Sequence, residues 1–228
     1  TNWTGDGFGG GGHGVKFGAN VKTDGTLWVW GSGDYGQRGD NVTTHISSPI
    51  QIPGTTWSTV GSSWAGNTFA LKTDSTAWVW GDARQGSLGL NDTGNRSSPI
   101  QIPGTTWIEI CGGYRQMSAL KSDGTLWVWG SNYEGALGLN QTPSTHPSYD
   151  NCASSPTQVP GTTWRSIKSG NGFFAATKTD GTAWAWGANF SGELGQNSTV
   201  QYSSPVQIPG TWSTASQGGY SSYIINTD

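Results

Sequence analysis

Few side chains in this 228-residue chain are spaced for catalysis. His13, His45 and His146 lie in unrelated places, without the ligand spacing that would hold a metal. Cys111 and Cys152 are 41 positions apart with no CxxC pair, and they read as two unpaired thiols, with one disulfide as the alternative. The glycine run at Gly9–Gly14 lacks the Lys-Ser/Thr of a phosphate loop and reads as a linker. Asp24 and Asp180 recur in turn sequences rather than as paired carboxylates, and the Asp/Asn-rich loops lack the spaced ligands of a calcium site. No catalytic, cofactor-binding or metal-ligating residue is expected, and no cofactor. What remains is the chemistry of recognition. Trp64, Asn67, Tyr114, Arg115, Gln116, Asn171, Phe173 and Tyr220 fall at matching places just before a strand, where copies of an otherwise uniform unit differ. Aromatic and Arg side chains of this kind anchor interfaces and sugars. His146 and Tyr149 lie in a Pro-rich insertion at 142–152, a second candidate contact. The competing reading is that some of these residues, Phe173 or Phe174 above all, point inward and fill space.

The elements that must position these residues follow from composition and repetition. Gly contributes 37 residues and Trp 14, against 32% hydrophobic and 11% charged residues, which disfavours helices. The aromatic content disfavours disorder. No apolar stretch approaches the length of a membrane helix, and a net charge of −3 argues against a nucleic-acid partner.

The string KTDGTLWVWG at 22–31 returns as KTDSTAWVWG at 72–81, KSDGTLWVWG at 121–130 and KTDGTAWAWG at 178–187, so its closing glycines are 50, 49 and 57 residues apart. A second string, SSPIQIPGTTW at 47–57, recurs at 97–107 and, slightly altered, at 154–164 and 203–212. Asp-Gly predicts a type I′ hairpin turn in three copies, and Asp74-Ser75 departs from it with some strain. Trp28 and Trp30 share one face of the strand that follows, with Leu27 and Val29 on the other, so that strand is buried on both faces. PIQIP, bracketed by prolines, suits a sheet edge. A fourth strand begins at the Trp of GTTW. Four short antiparallel strands per unit of this length describe a propeller blade. The chain is read as a single all-β propeller domain over 1–228, with units near 3–56, 57–106, 107–163 and 164–211 and a partial unit at 212–228.

After each WG the chain reads GSGDYGQRGDN at 31–41, GDARQGSLGLN at 81–91, GSNYEGALGLN at 130–140 and GANFSGELGQN at 187–197. A WG, a Gly five residues on, a Leu-Gly and a later Ser-Pro resemble the regulator of chromosome condensation (RCC-type) repeat family. Gln37-Arg38-Gly39 departs from the Leu-Gly step, and the His-Ser pair frequent in the family is missing from every copy. The resemblance implies a ring of up to seven blades. About four and a half units imply a partial ring, a fragment of a longer parent or blades shared between chains. A start at Thr1 without an initiator Met points the same way. The family includes a photoreceptor that senses light through clustered tryptophans, but here the Trp residues read as packing between blades.

The leading expectation is a non-enzymatic binding or structural propeller, extracellular or on a virion surface such as a phage tail or capsid appendage. Its expected partner is a protein or a glycan, with self-association as a further possibility and no membrane insertion. The alternative implied by the resemblance is a nucleotide-exchange-type or chromatin-associated regulator, and a third is a secreted enzyme inhibitor.

Overall fold

A computed structural model describes residues 3–4, 16–143, 151–218 and 221–226, with backbone alone for 213–218 and 221–226. The chain runs as β1 (Phe17–Val21), β2 (Leu27–Gly31) and β3 (Ile46–Ile52); β4 (Trp57–Ser62), β5 (Asn67–Lys72), β6 (Ala77–Gly81) and β7 (Arg96–Gln101); β8 (Trp107–Gly112), β9 (Gln116–Lys121), β10 (Leu126–Gly130) and β11 (Ala153–Val159). It continues through β12 (Trp164–Ser169), β13 (Phe173–Lys178), β14 (Ala183–Gly187) and β15 (Tyr202–Ile208), then β16 (Trp212–Gly218) and β17 (Ser221–Asn226). These strands form three four-stranded sheets, one three-stranded and one two-stranded sheet, each an antiparallel meander in chain order. In the first blade, Trp3 bridges Lys22 where Trp57 pairs with Lys72 in the second, so Trp3 occupies the first-strand position.

Within a blade the second and third strands are the most buried, and the proline-bracketed strands β3, β7, β11 and β15 lie at the outer edge. The first strands β4, β8, β12 and β16 touch one another from blade to blade and form the inner edge. Sheets with both faces covered need bulky residues on both, which the LWVWG alternation provides.

The expected type I′ turn is not what forms. Gly25, Gly124 and Gly181 have left-handed φ of 79° to 80°, but the Asp before each does not. A β-turn closes from the Gly25 N–H to the Lys22 carbonyl at 2.9 Å, and the left-handed residue comes after its two central positions. Asp is retained for another reason. Asp24 Oδ1 accepts hydrogen bonds from the Thr26 N–H at 3.0 Å and the Thr26 hydroxyl at 2.6 Å, and that hydroxyl accepts one from Trp28 Nε1 at 2.9 Å. The same Asp–Thr–Trp relay recurs at Asp74, Asp123 and Asp180. Ser75 takes the left-handed place at φ 62°, a conformation that costs a side-chain-bearing residue about 1 kcal/mol.

Blade-to-blade contact rests on the second Trp of each WxW. Trp80, Trp129 and Trp186 are fully buried, and each donates its indole N–H to a carbonyl of the preceding blade: Gln37, Ser87 and Ala136, at 2.8 to 3.1 Å. The residue two after each carbonyl must be Gly. A Cβ on Gly39, Gly89 or Gly138 would approach the indole to 2.6–2.9 Å, and all three have left-handed φ. A second strap joins the same blades, from the Asn41, Asn91 and Asn140 N–H groups to the Ser97, Ser154 and Ser203 carbonyls, each at 2.7 Å.

The departure from Leu-Gly in the first copy is accommodated internally. Arg38 occupies the place of Leu88, Leu137 and Leu194 and is as completely buried as they are. It donates to the Gly31 and Thr44 carbonyls and pairs with Asp40 at 2.7 Å, leaving Arg38 Nε and Asp40 Oδ1 without partners. Cys111 and Cys152 are not joined in a disulfide. Cys111 is buried beside Ser118 at 3.0 Å, and burial pushes its thiol up to about 11.

Candidate loop face between strand ends

A meander sends its first and third connections to one end of the sheet and its second to the other. The blades therefore have two unlike faces. One carries the Asp–Thr–Trp turns, where Lys72, Lys121 and Lys178 each lie over two indole rings at 4.0–4.6 Å. Such cation–π contacts each contribute roughly 0.5–2 kcal/mol. The other carries the loops joining first to second and third to fourth strands, where the copies differ.

On that loop face Tyr114 is 47% exposed, Tyr133 46% and Phe190 62%. Trp64 is half-buried, and its N–H donates to the Gly113 carbonyl of the next blade at 3.2 Å. Asn171 is also half-buried. Arg84 lies over the Tyr35 ring at 4.9 Å and is held by Asp82 through Nε at 2.8–2.9 Å. Those bonds hold Arg84 more firmly protonated than usual. Arg115 lies over Tyr114 at 5.1 Å. A cleft between the second and third blades is lined by Arg84, Gly86, Thr93, Arg115, Cys152 and Ser154.

The structure thus brings Tyr114 and Arg115 together, with Trp64 and Asn171 on the same face. Three sequence candidates are inside instead. Asn67 is fully buried, accepting from Ser63 Oγ at 2.5 Å and donating to Ser87 Oγ and the Asp82 carbonyl. Gln116 is buried, donating to the Gly170 carbonyl at 3.1 Å and accepting from the Arg115 N–H. Phe173 is buried with Ala185 and Leu194, as the inward-pointing reading held. All three start a second strand and fill the space beneath its loop, so they belong to the framework. His146, Tyr149 and Tyr220 lie outside the described residues, as does His13.

Tyr133 and Phe190 were missed by sequence reasoning. They occupy the third place after WG, where the copies read Asp34, Arg84, Tyr133 and Phe190, and that variation within an otherwise constant string was the available signal. Among the described residues no group of three or more His, Cys, Asp or Glu could hold a metal ion. No helix among them is long and apolar enough to cross a membrane.

Four antiparallel sheets in sequence, strapped by one repeated indole–carbonyl bond, define a β-propeller. The sequence pattern of the regulator of chromosome condensation (RCC1) repeat matches residues 123–177 and 180–225, and the fold of the chain is that of an RCC-type repeat β-propeller. No curated protein sequence matches it. Human WBSCR16 superposes with a TM-score of 0.76 and 21% identity, over 93% of this chain and 56% of that one. Prp20p from Saccharomyces cerevisiae, whose binding properties to Gsp1p and histones are reported with its structure, gives 0.75 and 19%, over 93% and 54%. Yeast RCC1 (Prp20) bound to Kap60 gives 0.74 and 17%, over 93% and 52%. The chain therefore spans about half the length of the solved propellers it resembles.

Proposed function

We propose that this propeller is a non-enzymatic recognition module that binds a protein partner through its loop face. The observation that carries the reading is the contrast between ends of the same strands. The turn end repeats one hydrogen-bonded relay in four blades, while the loop end exposes Tyr114, Tyr133 and Phe190 on that scaffold. Exposed aromatics on a rigid frame lose little side-chain entropy on binding, which suits them to an interface. The binding of Prp20p to Gsp1p and histones supports a protein rather than a glycan. We also propose an extracellular or virion-surface setting, supported by the low charge and the abundance of Ser, Thr and Asn. A nuclear regulator of Prp20p type is the competing setting.

A photo-crosslinking residue placed at Tyr133 or Phe190 tests the reading, with Thr73 and Thr179 on the turn face as controls. The expected result is one protein adduct formed from the loop face alone. Equal labelling from both faces, or none from either, overturns it.

A further inference from the structure

We infer that the cleft between the second and third blades is a receptor for a carboxylate, presented by an acidic side chain of the protein partner. The inference deepens the loop-face reading and rests on it. Arg115 is the key residue. Its Nε is shut away from water without any hydrogen-bond partner, and its two Nη nitrogens make no hydrogen bond to described residues. The Tyr114 ring, at 5.1 Å, supports its guanidinium. Arg84 across the cleft is differently placed, because its Nε and Nη2 are already committed to Asp82.

The charge balance selects the ligand. Among the described residues Arg84 and Asp82 cancel, so Arg115 is the charge of the described lining without an opposite partner. A carboxylate matches that charge and offers two oxygens to the planar fork of an Arg. A phosphoryl group, at about −1.5 to −2, exceeds it. Thr93 and Ser154 add hydroxyl groups to the lining.

The position is specific to this blade boundary. In each blade, the residue before the second strand offers its carbonyl to the N–H of the residue after WG: Lys16 to Ser32, Gly66 to Asp82, Arg115 to Ser131 and Gly172 to Ala188, at 2.7 to 3.1 Å. Glycine fills the place in the second and fourth blades. Only the third blade has an Arg there.

The test is fluorescence anisotropy of the 228-residue chain with a dye-labelled Glu-rich peptide and its Gln-for-Glu counterpart. The Glu peptide is expected to bind and the Gln peptide not, with affinity falling as salt rises. Arg115→Gln is expected to weaken binding on the order of tenfold or more without moving the melting temperature. Arg115→Lys, which keeps the charge and loses the fork, should recover part of the affinity. Arg165→Gln, at an exposed position on β12, should change nothing. Equal binding by wild type and Arg115→Gln, no binding of the Glu peptide, or displacement by inorganic phosphate at lower concentration than by acetate would each overturn the inference. If crosslinking from Tyr133 finds a partner that Arg115→Gln still binds normally, the carboxylate receptor fails and the loop-face reading survives.

Discussion

The two faces of this propeller are made by the same strands, yet they follow opposite rules. At the turn face, the Asp–Thr–Trp relay recurs with the same bonds in successive blades, and a Lys lies over two indoles in each. At the loop face the backbone closes hydrogen bonds within each loop and across to the next blade, and leaves side chains such as Phe190 and Tyr133 outward. Constancy marks where one set of side-chain bonds holds every blade, and variation marks both the outward side chains and the buried ones that fill the loops differently.

The sharpest way to break that comparison is to disturb a constant residue buried between blades. Trp129→Ala should cost about 3–5 kcal/mol, read as a lower urea midpoint, since it removes a fully buried indole and orphans the Ser87 carbonyl. A loss below about 1 kcal/mol would mean the blades are not strapped there. Next comes Arg38, a variable residue that is nevertheless framework. Arg38→Ala should cost about 3 kcal/mol by stranding Asp40, whereas Arg38→Leu combined with Asp40→Leu, which restores the second blade's pattern, should be neutral or stabilising. Denaturant melts of both variants place the boundary between frame and site inside the loops themselves.

Acid should weaken the turn face. The carboxyls of Asp24, Asp74, Asp123 and Asp180 are each held below the ordinary 3.8 by hydrogen bonds from the Thr hydroxyl two residues on, then by its backbone N–H. A lowered pKa means stability that is present above the ordinary value and lost as pH falls through the folded-state one. The melting temperature should therefore be level around neutrality and drop below about pH 4, with the drop reduced in Thr26→Val. Ser75→Gly should raise stability by about 0.5 kcal/mol by relieving the left-handed side chain, measurable as a small rise in melting temperature. Phe190→Ala should shift stability least, within about 0.5 kcal/mol, while reducing partner binding.

Much of the frame was legible in the chain. Repetition exposed the blade, proline placed the outer strand, and alternation of Leu27 and Val29 with Trp28 and Trp30 marked a strand covered on both faces. The turn type was not legible, because Asp-Gly also serves a turn in which Gly alone is left-handed. Asn67, Gln116 and Phe173 were misplaced for a physical reason. Variation between copies looks the same whether a position faces solvent or solves the same packing problem three ways. Here an amide bonded within its blade, an amide bonded across to the next and a phenyl ring fill equivalent spaces. Tyr133 and Phe190 escaped because their strings were read for the constant residues alone.

The repeated indole–carbonyl strap also makes the molecule a one-dimensional chain of coupled units. Each strap ties one blade to the blade before it, so stability is a sum of intrinsic blade terms and nearest-neighbour couplings. Amide exchange should then be graded along the sequence, with the doubly coupled second and third blades opening last. Weakening a single coupling would divide the cooperative transition in two rather than lower it as a whole.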